Sequence, residues 1–210
     1  MAKFTIYGPA LSTYVRTVRL ILESVGADYD LQEIDILTGE NEQPAYLAKH
    51  PFGKVPTLEV DGQLLYETNA ISEYLDATVA GDRFRPAEPM ARAKMRQIMA
   101  IVDSYLYAPT ISTIVIQRLI VPSQDGQTDE AAVAAALPKT QTALKAIEAI
   151  STFGPYLLGS NLTLADFFLM PIFFYLSRTP EFEAATSDTP QLKAWWETTG
   201  QDQTLAKVTG

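Results

Sequence analysis

The chain has 210 residues, 47% of them apolar and 20% charged, a composition that can bury a core and excludes a disordered polymer. Sixteen basic against 25 acidic side chains leave a net charge of −9, which argues against nucleic acid or an anionic membrane as partner. With no cysteine and a single histidine, His50, the sequence excludes disulfides, CxxC redox chemistry, thiolate metal sites and most histidine triads, and no metal is expected.

Phe4 to Tyr7 reads as a short strand closed by Gly8-Pro9. Ser12 or Thr13 can then cap a helix whose buried face is Val15, Val18, Ile21, Leu22 and Val25, with Gly26 ending it. A second strand is expected from Tyr29 through Ile34 and Ile36, followed by polar chain with at most a short helix near Pro44 to Lys49. Thr57 to Val60 and Gln63 to Tyr66 flank Asp61-Gly62, a pair suited to a type I′ turn because both central residues need positive φ. Those two strands should be antiparallel. Thr68 is expected to cap a helix carrying Ala70, Ile71, Tyr74 and Leu75 on one face.

Asp82 to Pro89 is polar and holds two prolines, as a linker would. Beyond it the signals are helical: Ala91 to Ile120 with a break or kink at Pro109, Asp129 to Ile150 despite Pro138, and a last pair around Gln191 to Thr198 and Asp202 to Val208. Thr163-Leu164-Ala165-Asp166 has the form of a capping box, with Leu162 and Phe167 placed to staple it. The expected fold is therefore an α/β domain over residues 1–80, a linker over 81–89 and an all-α domain over 90–210. No leader-like stretch or ~20-residue apolar span is seen, so the expected location is cytoplasmic, away from membranes.

The order of elements, with His50-Pro51-Phe52-Gly53-Lys54-Val55-Pro56 and then Glu67-Thr68-Asn69-Ala70-Ile71, resembles the cytosolic glutathione transferases, and the likeness covers essentially the whole chain. The resemblance implies a thioredoxin-like first domain, an all-helical second one, glutathione as co-substrate and a role in detoxification. The Val55-Pro56 bond is a candidate cis peptide, which would turn the Val55 amide and carbonyl outward to pair with an extended peptide. Glu67 and Thr68 stand at a helix start, where a ligand carboxylate is favoured. By the resemblance that carboxylate is on the γ-glutamyl end of glutathione, while Lys54, and Asn41 in place of a histidine, would meet the glycyl carboxylate. Glu42 stands where a lysine is usual in the phi-like members, and His50 suits a turn better than acid–base work.

A thiol of pKa ~8.5 must be brought down about two units to ionise at neutral pH, which takes about 2.7 kcal/mol. One hydrogen bond to the charged sulfur supplies ~1.5 to 3 kcal/mol and a helix N-terminus somewhat more. The sequence is similar to serine-type, phi-like and bacterial transferases, and this makes Ser12 the expected donor to the thiolate, with Thr13 and Tyr7 as alternatives. Arg16, one turn further on, could lend positive charge to the site, and is more readily expected to be solvated.

A small apolar electrophile is expected between the two domains, against Tyr107, Ile111 and Phe174. By the same resemblance the chain should form a homodimer, with Phe52 as a clasp into the partner. A glutathione-dependent peroxidase or disulfide reductase on the same scaffold, or a non-catalytic binding module, are the alternative functions.

Overall fold

The computed structural model describes residues 3–210, which divide into two compact units. One comprises the chain up to Arg83 together with Asp202–Gly210; the other is Phe84–Gln201.

The first unit is built on a four-stranded sheet of order β2-β1-β3-β4, from β1 (Phe4–Tyr7), β2 (Tyr29–Gln32), β3 (Thr57–Val60) and β4 (Gln63–Tyr66). β1 and β2 run parallel with Ile6 opposite Leu31, a pairing that needs a crossover, and α1 (Thr13–Val25) supplies it. β3 pairs antiparallel with both β1 and β4. The turn between β3 and β4 has φ 48° at Asp61 and 83° at Gly62, as the type I′ expectation requires. Strand alternation puts Phe4, Ile6, Leu58 and Val60 on one face, all buried, and Val15, Val18, Ile21 and Leu22 of α1 with Ile71 and Leu75 of α3 (Thr68–Leu75) complete that core. The opposite face carries Thr57, covered by Tyr46 of the short α2 (Pro44–Leu47), whose phenol lies 3.2 Å from the threonine hydroxyl.

Two local expectations shift. β2 stops at Gln32 because Asp35 turns the chain: its carboxylate accepts the amides of Leu37 and Thr38, at 2.9 and 3.1 Å. The residue capping α3 is Glu67, at φ 72°, and Thr68 is the first helical residue.

The stretch expected as a free linker is anchored in both units, at adjacent residues. Arg83 donates to the Ser24 carbonyl in the first unit, whereas Phe84 is buried in the second, edge-to-face with Phe167. The helical unit follows: α4 (Pro89–Ile101), continued in π-helical turns over Val102–Leu106 and Ala108–Ile120, then α5 (Glu130–Ile150), α6 (Leu164–Leu176), α7 (Phe182–Thr186) and α8 (Pro190–Thr199). The segments before and after Tyr107 meet at 51°, the bend expected at Pro109, which lacks an amide to continue the ladder. Pro138 leaves α5 unbroken. At the head of α6 the capping box forms, and Asp166 is wholly buried, accepting bonds from the Leu157 and Thr163 amides, the Thr163 hydroxyl and the Trp195 indole.

The last helix, α9 (Gln203–Thr209), expected with the helical half, packs on α1 in the first unit. Arg19 donates to the Val208 carbonyl at 3.0 Å and Lys207 pairs with Glu23. Burial pushes the Glu23 carboxyl up, but its bonds to Lys207 and Tyr29 outweigh this and hold it below the usual carboxylate range. No single helix among the described residues is long and apolar enough to cross a membrane.

Candidate active site

Three hydroxyls compete near the head of α1, and the fold treats them differently. Ser12 is the N-cap, half-buried, and accepts the Val15 amide at 3.5 Å, the outer limit of a hydrogen bond. That contact uses an oxygen lone pair and leaves the O–H as a donor. Thr13, the first helical residue, is 3% exposed, and its Oγ1 is buried without a partner among the described residues. Tyr7 sits on the sheet face opposite the Phe4–Ile6 core, where its hydroxyl donates to Glu59 at 2.8 Å and Lys49 lies 4.3 Å from its ring centre. Tyr7 is thus committed to a cross-strand cluster.

Gly8 determines how closely this loop approaches the rest of the site. Its φ is +149°, and a Cβ there would fall 2.6 Å from a Val15 methyl and 3.1 Å from the Val55 Cβ, so only glycine fits. The consequence is that the entry to α1 lies directly against Val55. The Val55-Pro56 bond is cis, as expected, and the Val55 amide and carbonyl have no hydrogen-bond partner among the described residues. An unpaired backbone edge therefore runs beside the start of a helix.

The loop leading to that edge is held from beneath. Tyr46 donates its phenol proton to the Lys54 carbonyl at 2.7 Å, and Asn41 Nδ2 donates to the Gly53 carbonyl at 2.8 Å. Asn41, expected to meet the glycyl carboxylate, is engaged in shaping the loop, and Gly53 packs so close that a Cβ would stand 3.0 Å from the Asn41 carbonyl. Glu42 is exposed, as is the Lys54 side chain. His50 makes the turn expected of it: its Nδ1 accepts the Phe52 amide at 3.4 Å, and its ring lies 4.8 Å from that of Tyr66. Burial lowers the His50 pKa, partly offset by the Glu67 carboxylate. Glu67 and Thr68 open α3, with Glu67 exposed and Thr68 half-buried.

Arg16 departs from expectation. It is 7% exposed, and its Nε donates to the Ala10 carbonyl at 3.0 Å. The signal was its position four residues after Ser12, from which a long side chain can reach back across the first turn to the loop. Glu33, which accepts the Ala10 amide at 3.1 Å, is a contact with no local signal in the sequence.

In the helical unit, Tyr107 stands at the bend of the long helix and is half-buried, while Ile111 is 7% exposed and belongs to the core. Phe174 on α6 is half-buried with the Arg178 guanidinium 3.4 Å above its ring. A cavity of about 860 Å³ in this unit is lined by Ile101, Tyr105, Pro109, Ala136, Lys139 and Ala143 among others; Tyr107, Ile111 and Phe174 do not line it.

Comparison with known proteins bears on the whole arrangement. The model of the glutathione S-transferase N-terminal domain matches residues 6–83, and that of the C-terminal domain matches residues 107–200. A probable glutathione S-transferase of Oryza sativa subsp. japonica is 33% identical over 202 residues, covering 94% of this chain and 91% of the relative. The chain belongs to the glutathione S-transferase family. Glutathione S-transferase 3 of Zea mays, another family member, is 32% identical over 199 residues, 94% of this chain and 89% of that one. Among solved family structures, glutathione S-transferase I bound with lactoylglutathione superposes with a TM-score of 0.84 at 29% identity, covering 98% of both chains. The maize transferase I complex with an atrazine–glutathione conjugate gives 0.83 at 29% identity, over 98% of this chain and 96% of that one. The expected architecture, a thioredoxin-like domain followed by a helical one, is that of the family.

Proposed function

We propose that this chain is a glutathione transferase in which the Ser12 hydroxyl donates to the glutathione sulfur and holds it as a thiolate for attack on a small apolar electrophile. The observation that carries this is the fate of the three hydroxyls: Tyr7 is bound to Glu59, Thr13 is buried, and Ser12 is half-exposed at the helix head with its proton free to donate. The unpaired amide and carbonyl of Val55, preceding Pro56, suit the backbone of the cysteinyl residue, and the close approach of Gly8 to both Val55 and Val15 of α1 supports a sulfur near the head of that helix. At α3 the Thr68 amide and hydroxyl suit the γ-glutamyl carboxylate, while the Glu67 carboxylate suits the ammonium group on the same carbon. Lys54, exposed on the loop shaped by Asn41, offers charge to the glycyl carboxylate. Tyr107 and Phe174 keep part of their surface exposed and are proposed as apolar walls for the electrophile, whereas Ile111 is buried in the core.

The same reading makes the protein a cytoplasmic homodimer. Phe52 is 68% exposed, an unusual state for a phenylalanine, and its ring is set at 6.3 Å edge-to-face against Tyr66. A bulky ring so presented supports its role as a clasp into a second copy of the chain.

Titration of the full chain with glutathione, following thiolate absorbance in the ultraviolet, tests the central claim. Binding with ionisation at neutral pH is expected, with ionisation lost and turnover lowered about ten- to a thousandfold in Ser12→Ala while affinity stays within about tenfold. Binding without ionisation in the parent chain, or full ionisation in Ser12→Ala, would refute it.

A further inference from the structure

The residues between β1 and α1 form no regular element, yet their polar groups are tied down at alternate positions. The Gly8 amide donates to the Gln32 carbonyl at 3.0 Å, and the Ser12 amide to the Pro9 carbonyl at 2.9 Å. Between them, Ala10 is gripped on both sides by side chains. Its amide donates to the two carboxylate oxygens of Glu33, at 3.1 and 3.3 Å, and its carbonyl accepts Arg16 Nε at 3.0 Å. Glu33 follows the end of β2 and Arg16 lies one turn inside α1, so the grip ties the loop to both elements flanking it. Arg16 is held at 7% exposure, where a guanidinium has given up much of its water and its remaining hydrogen bonds count for more.

We propose that Arg16 and Glu33 are positioning residues for Ser12: by fixing the carbonyl and the amide of Ala10 they set the path of the loop and hence the direction of the Ser12 hydroxyl at the helix head. The inference rests on Ser12 acting on the glutathione sulfur, as proposed above. Charge separates a positioning role from a merely electrostatic one. Glu33 is an anion, and on charge alone its removal favours a nearby thiolate and lowers the thiol pKa. Loss of the grip acts in the opposite sense, because a donor displaced by a fraction of an ångström stabilises the thiolate less.

The experiment is the thiolate titration of bound glutathione in the full chain, with kcat and KM, for the parent, Glu33→Ala, Glu33→Gln and Arg16→Lys. Affinity for S-methylglutathione, which has no thiol to ionise, reports binding separately. Glu33→Ala is expected to raise the thiol pKa by about 0.5 to 1 unit and lower kcat about three- to tenfold, with S-methylglutathione affinity within about twofold. Glu33→Gln keeps an oxygen for the Ala10 amide while removing the charge, and is expected at or slightly below the parent thiol pKa, with kcat not lowered. Arg16→Lys keeps the charge but loses the planar Nε donor, and is expected to raise the thiol pKa as Glu33→Ala does. Glu33 is exposed, so its variants remain informative if the buried arginine proves intolerant of change. A thiol pKa unchanged or lowered in Glu33→Ala, with a normal parent titration, overturns this inference and leaves the role of Ser12 standing. A parent chain that shows no thiolate overturns both.

Discussion

At the scale of single residues, the chemistry of the site turns on which polar groups remain free after folding. Ser12, Thr13 and Tyr7 are all hydroxyls within a few positions of one another, and nothing local ranks them decisively. On the proposed reading the ranking comes from Glu59, 52 residues from Tyr7, and from the burial of Thr13 at the start of α1. His50 is equally a product of its surroundings. In the unfolded chain its ring takes up a proton near pH 6.5, whereas burial in the fold delays protonation to lower pH. Between those values the unfolded state binds more protons, so stability should fall as pH drops below about 6.5. His50 is the sole histidine, so no other imidazole contributes. Urea midpoints measured from pH 7.5 down to 3.5 are expected to decline in the parent below about pH 6.5 and to stay flat in His50→Asn until about pH 4.5, below which both fall as carboxylates such as Glu23 and Glu130 protonate.

At the scale of elements, caps and breakers were largely legible. Gly26, in the left-handed conformation, ends α1; the Asp61-Gly62 turn joins β3 to β4; and Thr163 with Asp166 heads α6. These signals are local, because each satisfies backbone groups within three or four residues. The capping box also shows where local reasoning stops, since Asp166 accepts the Trp195 indole at 3.0 Å from 29 residues away. Removing this carboxylate leaves four buried donors unsatisfied. Asp166→Ala is accordingly expected to cost about 3 to 5 kcal/mol in urea unfolding, against ~0.5 to 2 for Thr163→Ala, with loss of the near-ultraviolet signal of the Trp195 environment. Equal costs for the two variants would mean that the carboxylate serves as a cap alone. The strand expected to reach Ile36 ended at Gln32 because Asp35 offered its neighbours' amides a turn, a competition that hydrophobic alternation does not register.

At the scale of the whole molecule, the composition anticipated a chain of two units, and the structure moved its boundaries. Arg83 and Phe84 are adjacent yet anchored in different units, and the C-terminal helix belongs with the first through Arg19, Glu23 and Lys207. On the proposed assembly, Phe52→Asp should shift the protein from dimer to monomer in sedimentation at micromolar concentration, with its circular dichroism unchanged; a dimer that persists would count against the clasp. What the sequence determined by itself was the kind and order of the elements apart from the short α7, the hairpin, a candidate cis proline and the family, because each is written in residues close together along the chain. Tertiary structure alone decided that Arg16 is buried, that Glu33 holds Ala10, that Asn41 braces Gly53 and that Tyr7 answers to Glu59. Those outcomes depend on which distant side chain arrives with a matching donor or acceptor, and periodicity and propensity carry no record of that meeting.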